Sequence, residues 1–199
     1  MTADHKTEDQ LLVASVLKGD PAACQSLIKN TEGLVAQILY KLVKKEEDRK
    51  DLAQDVYLKV FHQLGGFRFG SKLSTWIAQI AYNTAINYLQ KKKFVLLPGE
   101  SEGDEPMIEQ VSNALNRERA GFAERVLEEQ DRSHILKEAI AALPVLYQTL
   151  ITLFHQEELS YAEISKITSL PEGTVKSYLF RARKSLRAII LKVYKRDDL

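Results

Sequence analysis

The chain has 199 residues, 45% hydrophobic and 28% charged, with nine Gly, five Pro and a single Cys. That composition excludes a disordered, collagenous or disulfide-framed protein, and the lone Cys24 fits a reducing compartment. The formal net charge of +1 conceals a segregation: Val56 to Gly99 carries six basic residues and no acid, Lys176 to Arg196 eight basic residues and no acid, and Phe94 to Asp131 ten acids against three arginines. Two basic blocks flanking an acidic one suggest modules for a polyanion, joined by a segment that avoids or imitates nucleic acid. The plainer alternative is that each block is one solvated helix face. No apolar run approaches the roughly 18 residues of a membrane span. The polar stretch Met1 to Gln10 has no signal-peptide core. A cytoplasmic chain without membrane insertion is expected.

Helical periodicity runs through nearly all of the sequence and nothing alternates like a strand, so the fold class is all-α. Leu11, Leu12, Ser15 and Val16 form a short first apolar face. Asp20-Pro21 reads as an N-cap followed by proline at the first helical position. Leu27, Ile28, Leu34, Val35, Ile38, Leu39 and Leu42 then recur at helical spacing. A further helix is predicted from about Asp48 to Leu64, stopped by Gly65-Gly66. The loop Phe67 to Lys72 leads into a helix over about Leu73 to Lys93. Phe94 to about Gln110, with Pro98, Gly99, Gly103 and Pro106, is the best linker. The expected organisation is a helix bundle over 1–93, an acidic linker over 94–132 and a second helical domain over 133–199. In the latter, Leu143-Pro144 marks a break, and Ser160 with Glu163 forms a capping box opening a helix over Tyr161 to Ile167. A tight turn at Thr168 to Pro171 precedes a last helix from about Glu172 to Tyr194.

A short helix, a turn of about four residues and a longer basic helix make a helix-turn-helix, whose second helix enters the major groove with its N-terminal residues at base edges. Here those residues are Glu172, Gly173, Thr174, Lys176 and Ser177, then Phe180 and Arg181, with Arg183, Lys184 and Arg187 further along for phosphates or solvent. Glu suits cytosine, Lys or Arg suits guanine, and Thr or Phe carbons suit a thymine methyl. A plain helical hairpin with a basic face is the alternative. The acid-free block holds Tyr57, Phe61, Phe67, Phe69, Trp76, Tyr82, Tyr88 and Phe94, interleaved with cations as in single-strand binders. For Tyr57, Phe61 and Tyr88 a core position is preferred. Phe67 and Phe69, in a polar, glycine-bounded loop, are expected outside the core, and Trp76 suits either side. The four histidines are scattered, there is no phosphate-binding glycine loop or nucleophile elbow, and Cys24 reads as a small core residue. No enzyme, metal or cofactor is expected.

Asp48-Arg49-Lys50-Asp51-Leu52-Ala53-Gln54-Asp55-Val56-Tyr57-Leu58-Lys59 closely resembles the polymerase-clamp-binding segment of bacterial sigma factors. Phe67-Arg68, Ser74-Thr75-Trp76-Ile77 and Ile80-Ala81-Tyr82-Asn83-Thr84-Ala85 resemble the promoter-melting loop and helix that follow it. Leu143-Pro144, Leu159 to Ile164 and Gly173-Thr174-Val175-Lys176-Ser177 through Arg183 resemble the domain that reads the −35 element. The resemblance spans about residues 10–93 and 133–190, which matches the compact two-domain extracytoplasmic-function (ECF) group. It implies a non-catalytic initiation subunit with core RNA polymerase and promoter DNA as partners, and leaves open an anti-sigma protein. Ser74, Gln79 and Tyr82 stand where arginine is common along the family's melting helix, which implies fewer phosphate contacts from that helix, and Gln148 also stands where an arginine is common.

On this reading Asp48, Asp51, Leu52, Gln54, Asp55, Val56 and Lys59 serve polymerase binding, with Asp51, Gln54 and Asp55 an acidic edge and Leu52 with Val56 an adjacent apolar ridge. Phe67, Arg68, Phe69, Ser71, Lys72, Ser74, Thr75, Trp76 and Asn83 serve −10 recognition and melting. The loop's rings, flanking cations and hydroxyls suit a pocket for one flipped base. Glu172, Gly173, Thr174, Lys176, Ser177, Phe180, Arg181, Arg183 and Lys184 serve the −35 element. A helix-turn-helix regulator that never binds polymerase is the rival, and it leaves the aromatic loop idle.

Overall fold

The computed structural model describes residues 3–96 and 132–197, and among them every regular element is helical. The acidic linker predicted between the two halves falls mostly on 97–131, outside the described residues. The N-terminal half is a four-helix bundle: α1 (Ala3–Leu17), α2 (Pro21–Leu42), α3 (Glu46–Gln63) and α4 (Leu73–Leu96). Gly19 turns the chain between α1 and α2 at φ +82, a left-handed backbone that glycine adopts without steric penalty. Asp20 then caps α2, its Oδ1 accepting from the Ala22 amide at 2.9 Å, with Pro21 in the first turn. Three acids, Glu46, Glu47 and Asp48, open α3 where the helix dipole favours negative charge. Gly65-Gly66 closes α3 through a single 3-10 turn, Leu64–Gly66, after which Phe67 is extended.

The start of α4 is held from a distance. The Leu73 amide donates to Oδ2 of Asp9, on α1, at 2.8 Å. Leu73 itself is buried. A carboxylate from α1 thus performs the capping that Lys72, with donors only, cannot.

The C-terminal half contains α5 (Arg132–Ala141), α6 (Val145–Ile151), α7 (Tyr161–Thr168) and α8 (Glu172–Asp197), with a π-helical turn at Thr152–Gln156 after α6. Buried Gln148 fixes the α5–α6 corner, its Nε2 donating to the carbonyls of Ala141 at 2.9 Å and Leu143 at 2.6 Å. Its amide therefore serves the corner between α5 and α6. The capping box forms as expected: Ser160 Oγ accepts from the Glu163 amide at 3.3 Å, and the Ser160 amide donates to Glu163 Oε2 at 3.0 Å. Ser169 ends α7 in the left-handed region, and the turn is tied by Ser165 Oγ donating to the Leu170 carbonyl at 2.6 Å.

Buried apolar side chains of both halves form one contiguous cluster. Helix α4 packs on α2, on α3 and on α7, and α2 also meets α6. The first helix of the helix-turn-helix therefore rests on the bundle's last helix. Tyr57, Phe61 and Tyr88 lie half-buried against this core, as expected, and so does Cys24. Replacing Asp9 by Ala, which leaves the Leu73 amide without its acceptor, is expected to destabilise the chain by about 1 kcal/mol, read as a lower urea midpoint at unchanged slope.

Candidate nucleic-acid interface

Helix α8 buries one side and bares the other. Val175, Tyr178, Leu179 and Ala182 are buried. Glu172, Gly173, Lys176, Ser177, Phe180, Arg181, Arg183 and Lys184 are exposed, and Thr174 is half-buried, its carbonyl accepting from Ser177 Oγ at 2.9 Å. Lys176, Phe180, Lys184 and Arg187 follow one another at intervals of three or four residues and so share a face. Phe180 sits among them at 69% exposure, a large ring with no packing role on a basic surface. The predicted −35 residues are thus brought together, although two lean aside. Arg181 stacks toward the Tyr178 ring at 5.8 Å, and Arg183 lies over Phe154 at 5.1 Å with Nε donating to His155 Nε2 at 3.4 Å.

The aromatic loop differs from expectation. Phe67 is buried, at 9% exposure, because its ring fills the space between Phe69, centroids 4.7 Å apart, and Trp76, 5.1 Å apart. The three rings form one tilted cluster at the edge of the core, with Phe69 and Trp76 half-buried. Thr75 is also enclosed, and its hydroxyl has no hydrogen-bond partner among the described residues, so it offers nothing to DNA in this conformation. Arg68 and Asn83 are exposed, and Ser71, Lys72 and Ser74 half-buried. Phe69 adopts φ 54, a left-handed backbone that a bulky residue rarely takes. On α4 the hydroxyl of buried Tyr82 likewise lacks a partner among the described residues, and burial pushes its pKa up.

On α3, Asp51, Gln54 and Asp55 are exposed. Leu52 and Val56 are buried in the core, the apolar side of the helix being spent on packing, so they form no surface ridge. The exposed apolar residue of that strip is Leu58, at 68%, which lies with Asp51, Gln54 and Asp55 at helical spacing. The same period calculation that places Asp51 and Asp55 outward would have found it. Asp48 accepts from the Tyr88 hydroxyl at 2.5 Å, and burial and that bond push the phenol up to about 12. Lys59 donates to Thr84 Oγ1 at 3.0 Å. Beside this strip α2 and α3 leave an open groove of about 600 Å³ lined by Ala36, Gln37, Tyr40, Arg49, Lys50 and Ala53. Arg49 sits over the exposed Tyr40 ring at 5.1 Å.

No cluster of His, Cys, Asp or Glu suited to a metal occurs among the described residues, and no helix there is long and apolar enough to cross a membrane. The geometry defines an all-helical protein, a helix bundle carrying a helix-turn-helix whose second helix exposes a basic face. Comparison with known proteins makes it specific. Models described as "Sigma-70 region 2" and "Sigma-70, region 4" match residues 27–95 and 133–186. The chain is 33% identical over 180 residues to the ECF RNA polymerase sigma-E factor of Escherichia coli K12, covering 89% of this chain and 92% of that protein. It is 30% identical over 183 residues to the ECF RNA polymerase sigma factor SigW of Bacillus subtilis, covering 88% and 92%. Its fold is similar to that of CnrH, solved with the cytosolic domain of CnrY (TM-score 0.59, 17% identity, 92% and 96% covered). It is also similar to the sigma factor RpoE of Bartonella quintana, solved with the anti-sigma factor NepR (TM-score 0.58, 23% identity, 83% and 94% covered). The chain belongs to the ECF sigma factors of the sigma-70 family: it is a polymerase-binding factor for promoter recognition.

His155 links this surface to pH. Partial burial, then the charge of Arg183, lowers its pKa. A lowered folded-state value means the unfolded chain binds the extra proton first, so stability rises with pH through that window. Urea midpoints are expected to rise between about pH 5.5 and about pH 7.5. His155→Gln should flatten that part of the profile.

Proposed function

We propose that the chain divides its work as 1–93 for polymerase and the −10 element, 94–132 as an acidic linker, and 133–199 for the −35 element. The exposed basic face of α8 around Phe180 is the observation that carries this reading. Lys176, Ser177 and Arg181 meet base edges, Phe180 supplies apolar contact to a thymine methyl, and Lys184 and Arg187 follow the phosphates. Arg183, lying back on Phe154, acts mainly by holding the helix against the π-helical turn that follows α6. On the bundle, Asp51, Gln54, Asp55 and Leu58 dock polymerase, with acids steering and Leu58 burying area.

Melting falls to the loop and the start of α4. Arg68, Lys72, Ser71, Ser74 and Asn83 are the groups within reach of a strand, and Phe69 and Trp76 are the rings on which an unpaired base stacks. Phe67 supports them from below, and Thr75, Leu52 and Val56 support the fold. No chemistry is catalysed, no cofactor is used and the chain works in the cytoplasm. An anti-sigma protein is the further partner expected, by likeness to relatives solved with such proteins or their counterparts.

Reconstituted transcription with core polymerase tests the whole reading: the chain should direct initiation at a defined promoter set, and no promoter-dependent transcript would refute it. In that assay Arg181→Ala is expected to lower output about tenfold and relax preference at one or two −35 positions. A uniform loss across sequences would make it a phosphate contact. The triple variant Asp51→Ala, Gln54→Ala, Leu58→Ala should form holoenzyme about tenfold more weakly with its thermal transition unchanged. Normal assembly would exclude that strip.

A further inference from the structure

The bundle and the helix-turn-helix are fastened together at the aromatic loop. Lys72 Nζ lies 3.0 Å from Glu163 Oε1, and Lys166 Nζ donates to the Gly70 carbonyl at 2.8 Å. Glu163 and Lys166 both belong to α7, and their partners bracket the loop just before α4. The Glu163 side chain is only 19% exposed in this pairing. Burial by itself would raise its pKa, but the Ser160 amide and hydroxyl together with Lys72 hold the carboxyl below its usual range. It is therefore ionised at neutral pH and available to the ammonium group. Behind these two contacts α7 packs along α4.

The segment so pinned is itself strained. Phe69, next to Gly70, holds a left-handed backbone with its ring against Phe67. Lys72 is occupied by a carboxylate and the Gly70 carbonyl by an ammonium group, so both of these groups of the loop are already engaged by α7. The face of α8 stays exposed at the same time.

We propose that α7 is an intramolecular latch: in the free chain it holds the aromatic loop shut through Glu163–Lys72 and Lys166–Gly70, leaving the recognition face of α8 open. The chain then meets duplex DNA through α8 while its single-strand surface waits for α7 to lift. This rests on the assignment of the loop to the melted strand. A partner opens the latch only by as much as it prefers the separated form.

The test pairs Glu163→Gln with Lys166→Ala. Gln retains the capping box, so α7 keeps its N-terminus. One acid and one base are removed together, so net charge stays level and general attraction to DNA is unaltered. Spin labels at Asn30→Cys and Lys137→Cys, in a Cys24→Ser background, report the distance between the halves. The parent is expected to give one narrow distribution, and the double variant a broad one reaching longer distances. Affinity for a short fluorescent single-stranded DNA of random sequence should rise on the order of fivefold in the double variant. Affinity for a random duplex should stay level. A parent distribution that is already broad, or a double variant with the parent's distances and single-strand affinity, overturns the latch. The distance measurement needs neither polymerase nor DNA, so it judges the latch even where the transcription assay goes against the promoter reading.

Discussion

The Leu73 amide must find an acceptor, and the residue before it offers none. Lys72 ends in an ammonium group with donors only, so the first turn of α4 is capped by Asp9 from α1. That one bond sets where α4 begins, and the loop before it inherits the constraint. Its near end is anchored by buried Phe67 and its far end by buried Leu73. The intervening residues must close the gap without lengthening either helix. Phe69 absorbs the mismatch at φ 54, a conformation that costs about 1–3 kcal/mol in a non-glycine residue. Ring contacts with Phe67, and through it Trp76, offset that strain. The same closure aims Gly70 and Lys72 at α7.

Much of this was legible in the sequence, because local rules act locally. The Asp20 cap, the proline after it, the Ser160–Glu163 box and the glycine stop after α3 all sit where side chain and backbone a few residues apart decide the outcome. The buried side of α8 also follows from its period. What a period cannot give is the identity of the neighbour. Leu52 and Val56 were legible as one apolar row, but only the packing of α3 on α2 and α4 shows that the row faces inward and that Leu58 is left outside. Phe67 reads as an exposed loop residue because its partner Trp76 lies across a turn. The Asp9 cap links positions 64 apart, and the α7–α4 contact joins separate halves. No window of sequence contains either.

Charge is organised on the same principle. A net charge of +1 gives little general pull toward a polyanion, so the attraction has to be local. It is concentrated on α8, where Lys176, Lys184 and Arg187 share a face with an exposed phenylalanine. A few phosphate contacts give a shallow salt dependence and modest affinity for any one duplex. Discrimination then depends on reading two elements together at a fixed spacing, which makes the geometry between the halves a determinant of specificity as well as of access.

Part of that geometry is held by ties suited to release, beside the apolar packing of α7 on α4 and of α6 on α2. Lys72–Glu163 is a half-exposed ion pair, of a kind worth about 0–1 kcal/mol. Lys166–Gly70 is a single charge-assisted bond at the surface. Neither approaches the free energy of burying a core side chain. Within α4, moreover, the hydroxyls of Thr75 and Tyr82 are enclosed without partners among the described residues, a state that each group would leave for water or for a polar ligand. Strain at Phe69 adds to the same side of the balance. The polar ties and the strained loop thus add little to the hold between the halves, and the apolar packing of α7 on α4 and of α6 on α2 supplies the rest. Moving a two-state equilibrium from 1:99 to 99:1 takes about 5.5 kcal/mol of differential binding, so a partner that separates the halves must also supply the cost of that packing. Because the polar, strained contact at the aromatic loop adds little to that cost, the loop is the edge of the interface at which separation of the halves begins.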